Sequence, residues 1–96
     1  MKVYVSGYMY GHLTSEKRLR DAEKMLNGMG YETVTPYDVV PEGSTREEAM
    51  RHRLIYLLSC DALYLAPGYS ADGRAVWEQI TAKLCGLTVM DGKVEE

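Results

Sequence analysis

The sequence has no phenylalanine, only three prolines and two cysteines, and no excess of basic charge. Each shortage excludes something. Cys60 and Cys85 cannot build a disulfide framework, and their separation matches no zinc-ligand spacing; reduced thiols in a cytoplasmic setting are the default. A formal net charge of −3 argues against an electrostatic nucleic-acid surface, which needs clustered Lys and Arg. The longest apolar stretch, Leu54 to Ala66, is interrupted by Ser59, Cys60 and Asp61, so no membrane span is expected. Met1 leads directly into a strand-like run, so no secretory leader is expected either. No sequence feature calls for a metal or a cofactor. The missing phenylalanines are replaced by eight tyrosines and one tryptophan, so most large rings carry a hydroxyl.

What is present is a regular alternation. The 96 residues suffice for one domain, 1–96, and not for two. Lys2–Ser6 reads as a strand, ended by Gly7. After a loop, Thr14 or Ser15 is placed to cap a helix. Its stripe is Leu19, Ala22, Leu26 and Met29, and Gly28 and Gly30 stop it. Tyr31–Thr35 reads as a second strand, closed by Pro36 and followed by a loop from Tyr37 to Gly43. Thr45-Arg46-Glu47-Glu48 has the form of a capping box. The helix behind it carries Met50, Leu54, Leu57 and Leu58. Asp61–Ala66 is a strand apolar enough to be buried on both faces. Pro67-Gly68 stops it. A polar loop with Asp72, a helix with Glu78, a stop at Gly86 and a last strand, Leu87–Met90, complete the chain. This β-α-β-α-β-α-β order predicts a three-layer, Rossmann-like α/β domain. Its parallel four-stranded sheet runs in order 2-1-3-4, with helices on both faces.

In that topology the loops after the strands share one edge, and a crevice opens where the strand order reverses. Tyr8, Tyr10, Tyr37 and Tyr69 all fall at this edge. Such rings can stack a nucleobase or simply cover the ends of the core. Asp72 and Glu78 are the best pair of candidate carboxylates. Asp72 lies by a helix N-terminus, which favours negative charge. At about 100° per residue Glu78 shares a face with the small residues Ala75, Ala82 and Cys85. Val76, Ile80 and Leu84 form a separate stripe, expected to meet the sheet. The plainer reading makes Asp72 a cap and Glu78 a solvated helix residue. Arg74, inside the candidate loop, is the better candidate for a phosphate. Arg46, Arg51, His52 and Arg53 make the preceding helix basic, as a solvated face or a phosphate clamp. His12 in the first loop and the two cysteines carry little signal. Neither a dinucleotide fingerprint nor a Walker-type phosphate loop is present.

Several pieces, in order, resemble the nucleoside 2-deoxyribosyltransferase-like superfamily: Val3-Tyr4-Val5-Ser6-Gly7, Met50-Arg51, Cys60-Asp61-Ala62-Leu63-Tyr64-Leu65-Ala66-Pro67-Gly68-Tyr69, then Glu78 and Gly86. The resemblance covers nearly the whole chain and is nearest to a short branch of uncharacterised phage and bacterial domains. It implies that Glu78 is a nucleophile that takes the deoxyribosyl group, that Asp72 assists it, and that Ser6-Gly7 helps shape a nucleoside pocket, with the crevice at Gly7 and Gly68. It departs from the pattern at three places. Arg74-Ala75 replaces a Gly-Thr or Gly-Ala pair, Gly7-Tyr8 replaces Gly-Pro, and Arg53 stands where relatives often carry an aspartate near the base. The expectation is an enzyme that cleaves or transfers an N-glycosidic bond of a nucleoside or nucleotide. Glu78 and Asp72 are its catalytic residues, and Ser6, Gly7, Tyr8, Tyr37, Gly68, Tyr69 and Arg74 contact its substrate. A non-catalytic nucleotide-binding module in the same crevice and an interaction domain with a vestigial site stay open as alternatives. A homodimer or higher homo-oligomer, packed through the two helices after the second strand, is expected on both counts.

Overall fold

The computed structural model describes residues 1–7, 13–67 and 73–92, with the side chains of 13–15 outside that description. The elements are β1 (Lys2–Ser6), α1 (Leu13–Gly28), β2 (Glu32–Val34), α2 (Pro36–Val39), α3 (Arg46–Leu58), β3 (Ala62–Leu65), α4 (Gly73–Leu84) and β4 (Thr88–Asp91). The sheet is four-stranded and parallel in the order β2-β1-β3-β4. β1 and β3 are central, and Tyr4 pairs with Leu63 and Ser6 with Leu65.

Strand alternation sends successive side chains to opposite faces. Val3 and Val5 pack with Leu19, Ala22 and Leu26 of α1. Tyr4, Leu63 and Leu65 pack on the other face, with Val39 of α2, Leu57 of α3 and Ala82 of α4. Ser6 belongs to this second face by the same alternation. Burying both faces of the central strands explains their almost unbroken apolar sequence.

Local chemistry sets the element ends. α1 closes in a left-handed Gly30 (φ 93°), with the Tyr31 N–H turned back onto the Leu26 carbonyl at 3.1 Å. α4 closes the same way at Gly86 (φ 77°), with Leu87 N–H on Ala82 O at 2.9 Å; both are Schellman motifs. α3 opens with the reciprocal capping box. Glu48 N–H donates to Thr45 Oγ1 at 3.2 Å, and Thr45 N–H to a Glu48 carboxylate oxygen at 3.1 Å.

Four expectations need correction. α1 starts at Leu13, so Thr14 and Ser15 lie inside its first turn rather than capping it. The segment from Tyr37 is not all loop: Pro36, suited to a first helical position, opens the short helix α2. On α3, Leu58 is 49 % exposed while Arg53 is buried with Leu57. On α4 the small residues Ala75 and Ala82, with Glu78, face the sheet, whereas Ile80 and Leu84 are exposed. Small side chains let the α4 backbone lie close to β3, and the larger ones are left outside.

Candidate active site at the carboxyl edge

Glu78 has no exposed surface. It sits in the second turn of α4, on the face turned to the sheet. Its carboxylate reaches the end of β1, where Ser6 Oγ–H donates to Oε1 at 2.6 Å. Arg53 of α3 supplies the counter-charge. Its Nη2 donates to Oε1 at 2.5 Å and its Nε to Oε2 at 3.3 Å. Oε1 therefore has two short donors, while Oε2 has one long one among the described residues. A buried carboxylate needs such partners, because an uncompensated charge is costly away from water.

Tyr4, two residues before Ser6 on the same face of β1, completes the cluster. Its hydroxyl is buried and finds no hydrogen-bond partner among the described residues. Burial pushes this phenol far above its ordinary range. The negative charge of Glu78 adds to that, and the positive charge of Arg53 opposes it.

A cleft of ≈ 410 Å³ opens beside this cluster. Its lining includes Pro36, Tyr37 and Val40, the turn Pro41–Ser44, Ala49, Arg53 and Arg74. Arg53 thus borders the cleft and holds Glu78 with one side chain. Tyr37 is half-buried. Burial raises its pKa, Glu16 adds to the rise, and Arg74, Arg53 and Arg20 oppose it. The N-terminal turn of α2 is fixed by Asp38, whose Oδ2 accepts from Thr35 N–H at 2.9 Å and from Thr35 Oγ–H at 3.1 Å. Asp38 also pairs with Arg20 of α1 at 3.0 Å, which ties α2 across to α1.

Of the residues singled out in the sequence, Ser6 and Glu78 are in direct contact, and Tyr37 and Arg74 share the cleft. Gly7 has a packing reason of its own: a Cβ there would lie 3.0 Å from Ala66 Cβ and 3.1 Å from Leu19 Cδ2. Gly7 lets the end of β1, the end of β3 and α1 close together. Tyr8, Gly68, Tyr69 and Asp72 lie outside the described residues, as do Tyr10 and His12. The structure pairs the buried Glu78 with Arg53 of α3. Arg53 was legible as an anomaly. It lies three residues after Met50 and four before Leu57, on the apolar stripe itself, where a charge must find an opposite charge on the facing helix. Among the described residues no group of three or more His, Cys, Asp or Glu is arranged to hold a metal ion, and no helix is long and apolar enough to cross a membrane.

Comparison with known families decides the relationship. A domain of unknown function, DUF4406, matches residues 1–91. The chain belongs to the DUF4406 family. A search of curated proteins found no match to it. Among solved structures, this DUF4406 chain is similar to a 2-deoxyribosyltransferase from the psychrotolerant bacterium Bacillus psychrosaccharolyticus. The TM-score is 0.77 at 19% identity, and the likeness covers 100% of this chain and 76% of the other. At that identity the likeness establishes a common fold for the DUF4406 chain.

Proposed function

We propose that the protein cleaves or transfers the N-glycosidic bond of a nucleoside or nucleotide, with Glu78 as nucleophile. The observation that carries this reading is the carboxylate of Glu78 seated against Ser6 at the carboxyl end of β1. That is the switch point of the sheet, where α/β folds bind their ligands. The shared fold with a 2-deoxyribosyltransferase supports it as analogy.

In the proposed reaction Oε2, the less restrained oxygen, bonds to the anomeric carbon. The carbon–nitrogen bond breaks, its electron pair leaves with the base, and the base takes a proton. Water or a second base then opens the glycosyl ester, as in a retaining glycosidase. Ser6 and Arg53 hold Oε1 and so fix the direction of attack. Asp72 orients the nucleophile or handles the proton. Tyr8, Tyr37 or Tyr69 stacks the base, the backbone at Gly7 and Gly68 borders the ligand, and Arg74 holds a phosphate. The same proposal takes the working form to be a homodimer or higher homo-oligomer packed through α3 and α4, and requires no cofactor.

One observation favours a second reading. Arg53 engages both oxygens of Glu78, as suits a non-catalytic module that binds a nucleotide without cleaving it. Incubation with a panel of nucleosides and nucleotides, with released base read by chromatography, separates the two. Release of base supports the enzyme. Calorimetric binding of a ligand recovered intact supports the module.

A further inference from the structure

We infer that Glu42 determines base specificity: its carboxylate reads the pairing edge of a guanine held in the cleft. This rests on the proposed glycosyl chemistry and narrows its base to one with two adjacent N–H donors.

The turn Pro41–Ser44 joins α2 to α3 and forms one wall of the cleft. It closes without help from Glu42. Ser44 N–H donates to the Pro41 carbonyl at 3.2 Å, and Ser44 Oγ–H donates to the same oxygen at 2.6 Å. Gly43 is left-handed (φ 83°), as the third position of a type II turn requires. The acids on the flanking helices serve their own helix starts, Asp38 by accepting from Thr35 N–H and Glu48 from Thr45 N–H. Both ends of the turn are therefore anchored. Glu42 is exposed at its second position and is the one acidic residue lining the cleft among the described residues.

The cleft's ≈ 410 Å³ lies within the range of small-ligand sites. Arg53 borders it and is bonded to Glu78, so a sugar attacked by Glu78 lies at the Arg53 end. The Tyr37 ring, also in the lining, offers a stacking face for the base. The pairing edge of a base points away from its sugar, which turns it to the wall that carries Glu42. An ionised carboxylate only accepts hydrogen bonds. Guanine presents a ring N–H and an amino N–H side by side, one for each carboxylate oxygen. Adenine and cytosine set a ring-nitrogen lone pair beside the amino group, and thymine flanks its single N–H with two carbonyls. Each of those places an acceptor against an acceptor, which a site built for donors rejects.

Calorimetric titration of the full chain with deoxyguanosine, deoxyinosine and deoxyadenosine, each as nucleoside and as monophosphate, tests this. Deoxyinosine keeps the ring N–H of guanine and lacks only its amino group. The guanine ligand is expected to bind at least about tenfold more tightly than the hypoxanthine one, the worth of one charge-assisted hydrogen bond. Glu42→Ala removes that preference and leaves the adenine ligand bound as before. Should Glu42→Ala fail to fold, Glu42→Gln, whose amide sets a donor against the guanine donors, removes the preference likewise. Equal affinity for the guanine and hypoxanthine ligands in the unmodified chain overturns the inference, as does a preference that survives in either folded variant. A folded variant that weakens all three bases alike overturns it, and so does failure of every ligand to bind. Guanine-selective binding that depends on Glu42, with no base released from any ligand, upholds the role of Glu42 and overturns the glycosyl chemistry. Base released from all three at rates that Glu42→Ala does not change does the reverse.

Discussion

At the scale of single residues, the Glu78–Arg53 pair governs both chemistry and stability. Removing one partner of a buried pair takes a buried counter-charge from the other. Glu78→Gln is therefore expected to lower unfolding free energy by about 3–5 kcal/mol, measured by urea denaturation. The double variant Glu78→Leu/Arg53→Met is expected to recover most of that loss, since two apolar groups of similar size need no counter-charge. A loss in the double variant as large as the sum of the singles contradicts this account. Asp38 gives a pH-dependent test. Burial acts to raise its pKa, but the Thr35 backbone N–H and the Arg20 guanidinium outweigh it, and the carboxyl titrates below its usual range. A folded value below the unfolded one means stability fully present above the unfolded value and lost as the pH falls through the folded one. Asp38→Ala should thus cost about 1 kcal/mol at pH 7, as for loss of a helix-end cap. The gap to the unmodified chain should shrink as the pH drops below about 4. A gap independent of pH between 7 and 2 shows that the charge of Asp38 contributes nothing.

At the scale of elements, the ends of helices were readable and their orientations less so. The capping box at Thr45 and the stop at Gly86 rest on neighbours in sequence, whose chemistry is local. Which face of α4 meets the sheet is a packing choice. Sequence pattern favours Val76, Ile80 and Leu84 on size, but close approach to β3 selects Ala75 and Ala82. The same closeness carries Glu78 inward, so a residue readable as solvated became fully buried. Arg53 was read as part of a solvated basic face or a phosphate clamp, and its pairing with Glu78 was missed because that partner lies on another helix. The glycine stops give a clean comparison. Gly86 is left-handed (φ 77°) with open space around it, so Gly86→Ala is expected to cost about 1–2 kcal/mol through backbone strain alone. Gly28, helical and equally open, should gain up to about 1 kcal/mol on the same change. Thermal or urea melts of the two variants check this, and equal shifts contradict the left-handed cap.

At the scale of the whole molecule, the strand order 2-1-3-4 was legible because β and α segments alternate strictly, and right-handed crossovers leave few topologies open. The outer surface was legible only in part. Ile55, Leu58, Trp77, Ile80 and Leu84 are exposed on α3 and α4, and large apolar side chains gathered on exposed helices suit an interaction surface. The proposed homo-oligomer buries it, so sedimentation at micromolar concentration is expected to give a dimer or larger species, and Trp77→Lys to shift it toward monomer. A monomer at that concentration contradicts the assembly. The central claim is that the Glu78 carboxylate attacks a glycosidic carbon. The direct test is chromatographic measurement of free base released from a panel of nucleosides and nucleotides, by the unmodified chain and by Glu78→Gln side by side, with circular dichroism to confirm that the variant is folded. The account predicts release by the unmodified chain and a fall of several orders of magnitude in the variant, because the amide cannot form the glycosyl ester. Release undiminished in a folded Glu78→Gln, or no release from any member of the panel, contradicts it.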